Sequence, residues 1–332
     1  MSGLFSEDRQ ARDKVGEAIG RAAREIGFFK IINHGIDLGL IARTYGMAER
    51  FFALPEAEKR QYYIGKSSNH RGYVPFTEKG DYADEKSRNY EAFDLALDLP
   101  ATDPDFLAGN RLLGPNVWPE VEGFKATVSE YYGQISALGL RICAALERYL
   151  DLPEGRITGQ MTKPISQLRL LHYVRESARV DTKSVNMGAH TDYECLTLLH
   201  TRNPGLQVMT SAGTWIDVPV EPRAFVVNIG DMLEAWTNGH LRSTPHRVLN
   251  LSDERFSLPY FVAANFDTTI SPFPEMLRDG TKPRYEPFKA GDHLERMLVR
   301  DFPYLADKAQ GDVRGQINIT NPFEDRMNGE AN

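Results

Sequence analysis

The spacing of apolar residues changes at Pro164, and this change constrains the fold more than any other feature of the sequence. Before Pro164 apolar residues recur at helical spacing in long segments, whereas after it they form short runs separated by Gly, Pro and Asn-Gly. Many closely spaced short strands are typical of a β-sandwich or barrel. We therefore expect a β core from runs at 168–174, 195–199, 206–209, 215–218, 224–229, 247–249 and 256–265.

The region before Pro164 is predicted to be largely helical. Ser6 is a candidate cap for a helix that ends at Gly27, a short strand follows at 28–33, and Asp37 can cap a second helix that runs to Pro55. Residues 62–118 lack a sustained period and indicate loops with a short strand near 93–97. Residues 120–150 keep helical spacing throughout and predict a long helix that supports the β core.

The length of 332 residues allows one large domain with helical additions. We interpret 1–332 as a single α+β domain with three portions. These are an N-terminal, largely helical portion at 1–160, the β core with the functional site at 165–270, and a C-terminal helical return at 271–332.

Composition excludes several classes of protein. The net charge is 39 − 46 = −7 with both signs scattered, which argues against nucleic-acid binding. The chain has no uncharged apolar stretch near the roughly 18 residues of a membrane span, and its first residues lack the apolar centre of a signal peptide. Two cysteines are too few for a disulfide framework or a thiolate-rich zinc site. We therefore expect a cytoplasmic protein without a membrane or nucleic-acid partner; the oligomeric state is not encoded in any recognisable pattern.

The segment His190-Thr191-Asp192 is the strongest candidate for a metal site. In an extended segment, residues i and i+2 point to the same face, so His190 and Asp192 could bind one metal together. His246 is the candidate third ligand because it begins a strand-like stretch after a predicted hairpin turn at Asn238-Gly239. Two His and one carboxylate suit an iron(II) oxygenase. Zinc is the alternative metal, although the His-Glu-x-x-His helix motif is absent.

Arg255 and Ser257 are a candidate anion clamp. They share one face of a predicted strand, and a guanidinium beside a hydroxyl suits a carboxylate. Asn228 and Asp231 are explained equally well by turn chemistry at a strand end and are left out of the predicted site.

The sequence resembles the isopenicillin N synthase-like iron(II)/2-oxoglutarate-dependent dioxygenases along nearly its whole length. The shared motifs are Gly27-Phe28-Phe29, Asn33-His34-Gly35, Phe51-Phe52-Ala53-Leu54-Pro55 with Lys59, Arg71-Gly72-Tyr73, His190-Thr191-Asp192, Asn228-Ile229-Gly230-Asp231, Asn238-Gly239 through Ser243, His246-Arg247-Val248 and Arg255-Phe256-Ser257. The resemblance implies a double-stranded β-helix, also called a jelly roll, in which His190, Asp192 and His246 bind iron(II).

The resemblance also implies the cosubstrates and the reaction. Arg255 and Ser257 would hold the distal carboxylate of 2-oxoglutarate, and Tyr173 falls where the family often places a tyrosine that contacts it. Dioxygen and 2-oxoglutarate would be consumed to hydroxylate, desaturate or cyclise a small-molecule metabolite, with release of succinate and carbon dioxide, as in secondary metabolism. Two departures are Leu171-His172-Tyr173-Val174 in place of the common Asn-Tyr-Tyr-Pro, and the lack of the family's usual first strand.

Two other functions remain open from the sequence. One is an iron oxidase that uses no 2-oxoglutarate, as isopenicillin N synthase itself does, with Arg255 and Ser257 holding the substrate's carboxylate. The other is a non-catalytic small-molecule receptor on the same fold, for which a lost metal ligand would be expected. Substrate selectivity is expected in the loops at 62–118 and in the C-terminal segment, with Arg71, Tyr73 and Glu91 as candidate substrate contacts.

Overall fold

The computed structural model describes residues 1–77, 89–174, 185–249, 251–302 and 304–305. The predicted C-terminal return therefore lies outside the described residues from 306 onward. Within the described ranges, no helix combines the length and apolar character that a membrane crossing requires. Their helices are α1 (Arg9–Glu25), α2 (Leu38–Phe52), α3 (Glu56–Lys59), α4 (Pro104–Leu107), α5 (Phe124–Tyr149), α6 (Asp231–Trp236) and α7 (Ala290–Asp301).

The strands pair into two main antiparallel sheets. In chain order they are β1 (Phe28–Ile31), β2 (Gly72–Val74), β3 (Tyr90–Ala96), β4 (Gln167–Val174), β5 (Val185–His190), β6 (Leu196–Thr201), β7 (Leu206–Met209), β8 (Trp215–Asp217), β9 (Phe225–Ile229), β10 (His246–Leu249), β11 (Glu254–Val262), β12 (Thr269–Ile270) and β13 (Phe288–Lys289). The larger sheet has the order β1-β9-β6-β11-β4-β3-β2, and the smaller has the order β5-β10-β7-β8. Strands β12 and β13 form a separate pair. This is the predicted jelly-roll core.

Helix α5 supports the larger sheet from outside, as its apolar period predicts. The positions buried along it include Phe124, Val128, Tyr131, Ile135 and Ile142. The helix contacts β11 and β6 and also packs against α1 and α2. Gly139 permits this close approach, since a Cβ atom at that position would lie 2.7 Å from Cγ2 of Val262 on β11. The helix begins at Phe124, four residues after the predicted start, because Gly123 adopts φ +81°.

Two local predictions about caps and turns are wrong. Asp8, not Ser6, caps α1, because the Asp8 carboxylate accepts a hydrogen bond from the Gln10 amide. Ser6 lies two residues before this cap and accepts from the Asp8 amide. The residues Asn238-Gly239 do not connect two strands; they have φ +54° and +79° and end helix α6, which the sequence pattern did not predict. Asp37 caps α2 as predicted, by accepting from the Leu40 amide.

Candidate active site

His190, Asp192 and His246 converge in one buried cluster. His190 is the last residue of β5 and His246 the first of β10, and the two residues are direct cross-strand partners. Asp192 lies two residues beyond β5, in the loop to β6, and not on the strand itself. Its Oδ1 is 3.7 Å from Nε2 of His190 and 3.6 Å from Nε2 of His246. One ligand atom from each residue lies within 4.8 Å of the others, a spacing that fits a single metal ion.

Both histidine rings are oriented by backbone carbonyls. Nδ1 of His190 lies 2.8 Å from the Gly188 carbonyl, and Nδ1 of His246 lies 3.4 Å from the Thr244 carbonyl. Because a carbonyl only accepts, each Nδ1 carries the proton and each Nε2 keeps its lone pair toward the cluster. Burial, reinforced by the neighbouring His246, lowers the pKa of His190 to about 4. The neutral ring that a metal requires is therefore favoured.

Asp192 divides its two oxygens between the histidines and the larger sheet. Its Oδ2 accepts hydrogen bonds from Thr197 on β6 and, at 2.6 Å, from Nδ2 of Asn228 on β9. Burial alone would raise the pKa of Asp192, but His246, His190 and these two hydrogen bonds outweigh it and hold the pKa below its ordinary value. Asp192 is thus an ionised carboxylate with Oδ1 directed to the cluster.

Asp231 ties together the chain segments beside the three candidate ligands. Its backbone amide donates to the Asp192 carbonyl at 2.8 Å. Its carboxylate accepts from the hydroxyl of Thr191 at 3.2 Å and from that of Ser243 at 2.7 Å. One buried side chain therefore bonds both the loop after β5 and the segment before β10. These contacts orient the three candidate ligands, as hydrogen-bonding partners of the ligands do in other metal sites.

The predicted anion clamp lies at β11 and β4. Arg255 and Tyr173 are cross-strand partners, and the Arg255 guanidinium lies 4.7 Å from the centre of the Tyr173 ring. Nη1 of Arg255 donates to the Ser257 hydroxyl at 3.2 Å. Arg255 is only 2% exposed, its Nε has no hydrogen-bond partner, and among the described residues no carboxylate pairs with it. A buried cation without a counter-ion fits an anionic ligand.

The cluster and the clamp line one cavity between the sheets, which encloses about 100 Å³. Alternate residues of two adjacent strands face it because side chains alternate across a sheet. From β4 these are Gln167, Arg169, Leu171 and Tyr173, and from β11 they are Arg255, Ser257, Pro259 and Phe261. Helix α7 closes one side through Leu298 and Asp301, and the Tyr193 hydroxyl donates to Asp301 at 2.8 Å. The donor set fits iron(II), and the arginine without a counter-ion among the described residues fits a dicarboxylate.

The three candidate substrate residues lie outside the lining of this cavity. Arg71 is buried and donates to the carbonyls of Asn69, His70 and Leu112. Tyr73 donates to Glu91 at 2.6 Å, and Glu91 also accepts from Lys59 and contacts His172. These contacts account for the side chains as structural groups. Their role in substrate binding stays a prediction.

Two residues of the site were not predicted: turn chemistry at a strand end accounted equally well for Asn228 in the sequence, and the pattern gave no sign of Thr197. Asn228 is the fourth of five buried residues in β9, where a polar side chain needs a partner, and this burial signal could have identified it. Thr197 follows Asp192 by five residues, so its contact depends on the path of the intervening loop.

A jelly roll that buries two histidines and one carboxylate beside an anion pocket defines the class of non-haem iron oxygenases. Comparison with known proteins agrees with this class. The chain matches the family described as non-haem dioxygenase in morphine synthesis N-terminal over residues 1–121 and the 2OG-Fe(II) oxygenase superfamily over residues 165–264. A 2-oxoglutarate-Fe(II) type oxidoreductase of Emericella nidulans is 31% identical over 300 residues, covering 88% of this chain and 86% of the relative.

Solved structures give the same result. A full-length Neurospora crassa protein crystallised in complex with alpha-KG has a TM-score of 0.78 and 26% identity, covering 90% of this chain and 94% of the other. A 2OG-Fe(II) oxygenase family protein from Caulobacter crescentus also has a TM-score of 0.78, with 30% identity and coverages of 89% and 96%. The chain belongs to the 2OG-Fe(II) oxygenase family. It is an enzyme that uses iron(II), 2-oxoglutarate and dioxygen to oxidise a small molecule, which argues against zinc, the 2-oxoglutarate-independent oxidase and the receptor.

Proposed function

We propose that His190, Asp192 and His246 hold the iron(II), and that Arg255, Ser257 and Tyr173 bind 2-oxoglutarate, in a hydroxylase of a small-molecule metabolite. The observation that carries this proposal is the pairing, in one cavity, of a three-ligand cluster with a buried arginine that has no counter-ion among the described residues. Three protein ligands leave coordination positions for a 2-oxo acid and dioxygen. Bound iron(II) supplies the centre at which dioxygen is reduced as 2-oxoglutarate is decarboxylated.

The protein side chains position the cosubstrate and exclude water. Arg255 offers a planar guanidinium to the distal carboxylate, and Ser257 adds a hydroxyl on the same strand face. The Tyr173 ring lies against the guanidinium and shields it from solvent. Phe28 packs its ring edge against His246 at a centroid distance of 5.4 Å, which limits rotation of that imidazole.

We also propose a cytoplasmic enzyme that acts on free small molecules and not on nucleic acid. The net charge of −7 supports the second statement, since a phosphate backbone attracts a basic surface.

Anaerobic titration of the iron(II) protein with 2-oxoglutarate tests the proposed clamp. Arg255→Ala leaves the distal carboxylate buried without a partner, at a cost of about 3 to 5 kcal/mol. We therefore expect a hundredfold or larger rise in the 2-oxoglutarate Kd, since about 1.4 kcal/mol corresponds to tenfold. Ser257→Ala should raise the Kd less, because it removes one charge-assisted hydrogen bond worth about 1.5 to 3 kcal/mol. The visible band of the chelated 2-oxo acid reports binding.

Arg202→Ala is a matched control, because this partly exposed arginine lies over Tyr45, away from the cavity lining. An unchanged 2-oxoglutarate Kd in Arg255→Ala would refute the assignment of the clamp.

A further inference from the structure

Gln167 carries a buried polar group that no other described residue uses. It is 5% exposed, lines the cavity from β4, and its Nε2 has no hydrogen-bond partner in the part of the chain that the structure describes. Leaving a buried amide unpaired costs about 1 to 3 kcal/mol, so such groups in folded proteins call for an explanation. Because the amide faces a cavity, a ligand can supply the missing partner.

Glu194 is a second buried polar side chain in the same cavity. It is 4% exposed, and its carboxylate bonds to its own backbone amide but forms no hydrogen bond or ion pair with another described residue. Both side chains line the same cavity. Phe261 on β11 pairs with Gln167 on one side and with Thr197, the second residue of β6, on the other. At about 4.8 Å between strands, Gln167 and Thr197 lie roughly 10 Å apart. Glu194 precedes β6, on the same side of β11 as Thr197.

The charges nearby favour an uncharged ligand group over a carboxylate. Arg169, the neighbouring cation of the lining, is held in a bidentate ion pair by Asp94 at 2.7 and 2.8 Å. Arg255, the other arginine of the lining, is the proposed 2-oxoglutarate anchor. A carboxyl accepts an N–H or O–H in either protonation state, whereas the Gln167 amide both donates and accepts.

We propose that Gln167 and Glu194 form a polar subsite that binds an uncharged, N–H- or O–H-bearing group of the primary substrate. The apolar body of that substrate then packs against Phe261 and Phe302, which line the same cavity. This inference rests on the proposed function, because it requires 2-oxoglutarate to occupy the Arg255 end. The expected substrate class is a small molecule with an apolar body and an amide-like or hydroxyl group.

Four probes that share one ring and differ only in the polar group test the subsite: benzamide, methyl benzoate, benzoate and toluene. Each is titrated by calorimetry into the anaerobic protein loaded with iron(II) and 2-oxoglutarate. We expect benzamide to bind at least tenfold more tightly than the other three. Gln167→Met and Glu194→Leu should each weaken benzamide binding about tenfold and leave toluene binding unchanged.

Thermal denaturation separates this role from a structural one. Gln167→Met removes an unpaired buried amide, so its Tm should equal or exceed that of the wild type, whereas a structural glutamine would lower the Tm on replacement. Gln134→Met, on the outer surface of α5, is the matched control for the substitution itself.

The possible outcomes separate a failure of the subsite proposal from a failure of the proposed function. Failure of the wild type to bind 2-oxoglutarate overturns the proposed function and the subsite with it. Intact 2-oxoglutarate binding without a preference for benzamide, or with a preference that both variants retain, overturns the subsite alone.

Discussion

At the scale of single residues, the site depends on the direction of a few lone pairs. The Nδ1 atoms of His190 and His246 are committed to carbonyls, so both Nε2 atoms face Asp192. This arrangement would let the proposed metal bind without rearrangement of the rings. Substitutions in this cluster should therefore act through the atoms proposed to bind the metal and not through the overall charge of the region.

Replacement of one candidate ligand tests the metal assignment. His246→Ala should abolish turnover and lower iron(II) affinity by more than a hundredfold, because two ligands remain where three are needed for a stable site. Far-ultraviolet circular dichroism should remain that of the wild type. His240→Ala, at an exposed position outside the cavity lining, should bind iron(II) normally. Full activity in His246→Ala would exclude the assignment.

Asn228 and Thr197, which both donate to Oδ2 of Asp192, are expected to support iron(II) binding. Asn228→Leu should raise the iron(II) Kd by about 10- to 100-fold, the usual cost of losing a hydrogen bond to a metal ligand. Thr197→Val removes the other bond with a smaller change in shape and should have an effect in the same direction. Equilibrium metal competition with a chelator measures both. Equal affinity in both variants and the wild type would mean that Asp192 does not need this support.

At the scale of elements, loops are held by buried side chains that capping rules do not describe. Glu147, near the end of α5, is 2% exposed. Its carboxylate accepts from the amides of Gly155, Ile157 and Thr158 at 3.2, 2.7 and 2.7 Å. One side chain therefore accepts hydrogen bonds from three backbone amides of the loop that leads from α5 to β4.

Glu147→Leu should lower the free energy of unfolding by about 3 kcal/mol, because each buried donor left unpaired costs about 1 to 3 kcal/mol and the loop can recover part of this through water. Urea denaturation measures the change. Glu130→Leu, at an exposed position on the same helix, should change stability by less than about 0.5 kcal/mol. Similar stabilities of the two variants would contradict the role given to Glu147.

At the scale of the whole molecule, the proposed metal links the two sheets. His190 and His246 belong to the smaller sheet, whereas Asp192 is bonded to Thr197 and Asn228 of the larger one. Iron(II) bound by all three should therefore stabilise the packing of the sheets. At a free concentration of about 100 times its Kd, a ligand specific for the folded state adds about 2.7 kcal/mol.

Thermal scans of the metal-stripped protein check this linkage. Iron(II) should raise the Tm of the wild type, and 2-oxoglutarate should raise it further only when the metal is present, since one end of the cosubstrate is held by the metal. The His246→Ala protein should show neither increase. A 2-oxoglutarate effect of the same size without metal would indicate that the clamp alone carries the binding energy.

Local patterns in the sequence determined the class of fold and the types of ligand. The period change at Pro164 predicted the β core, helical spacing predicted α5, and the residue types in His190-Thr191-Asp192 and His246 predicted an iron site. These patterns can be read from the sequence alone because burial of one face of an element imposes a period on its apolar residues. Metal ligands are likewise restricted to a few types of side chain. The tertiary structure alone decided which polar residues meet across the sheets: Asn228 with Asp192, Asp231 with Thr191 and Ser243, and Gln167 with no partner for its Nε2 among the described residues. Such pairings depend on register and loop path between residues far apart in the chain, for which local spacing carries no information.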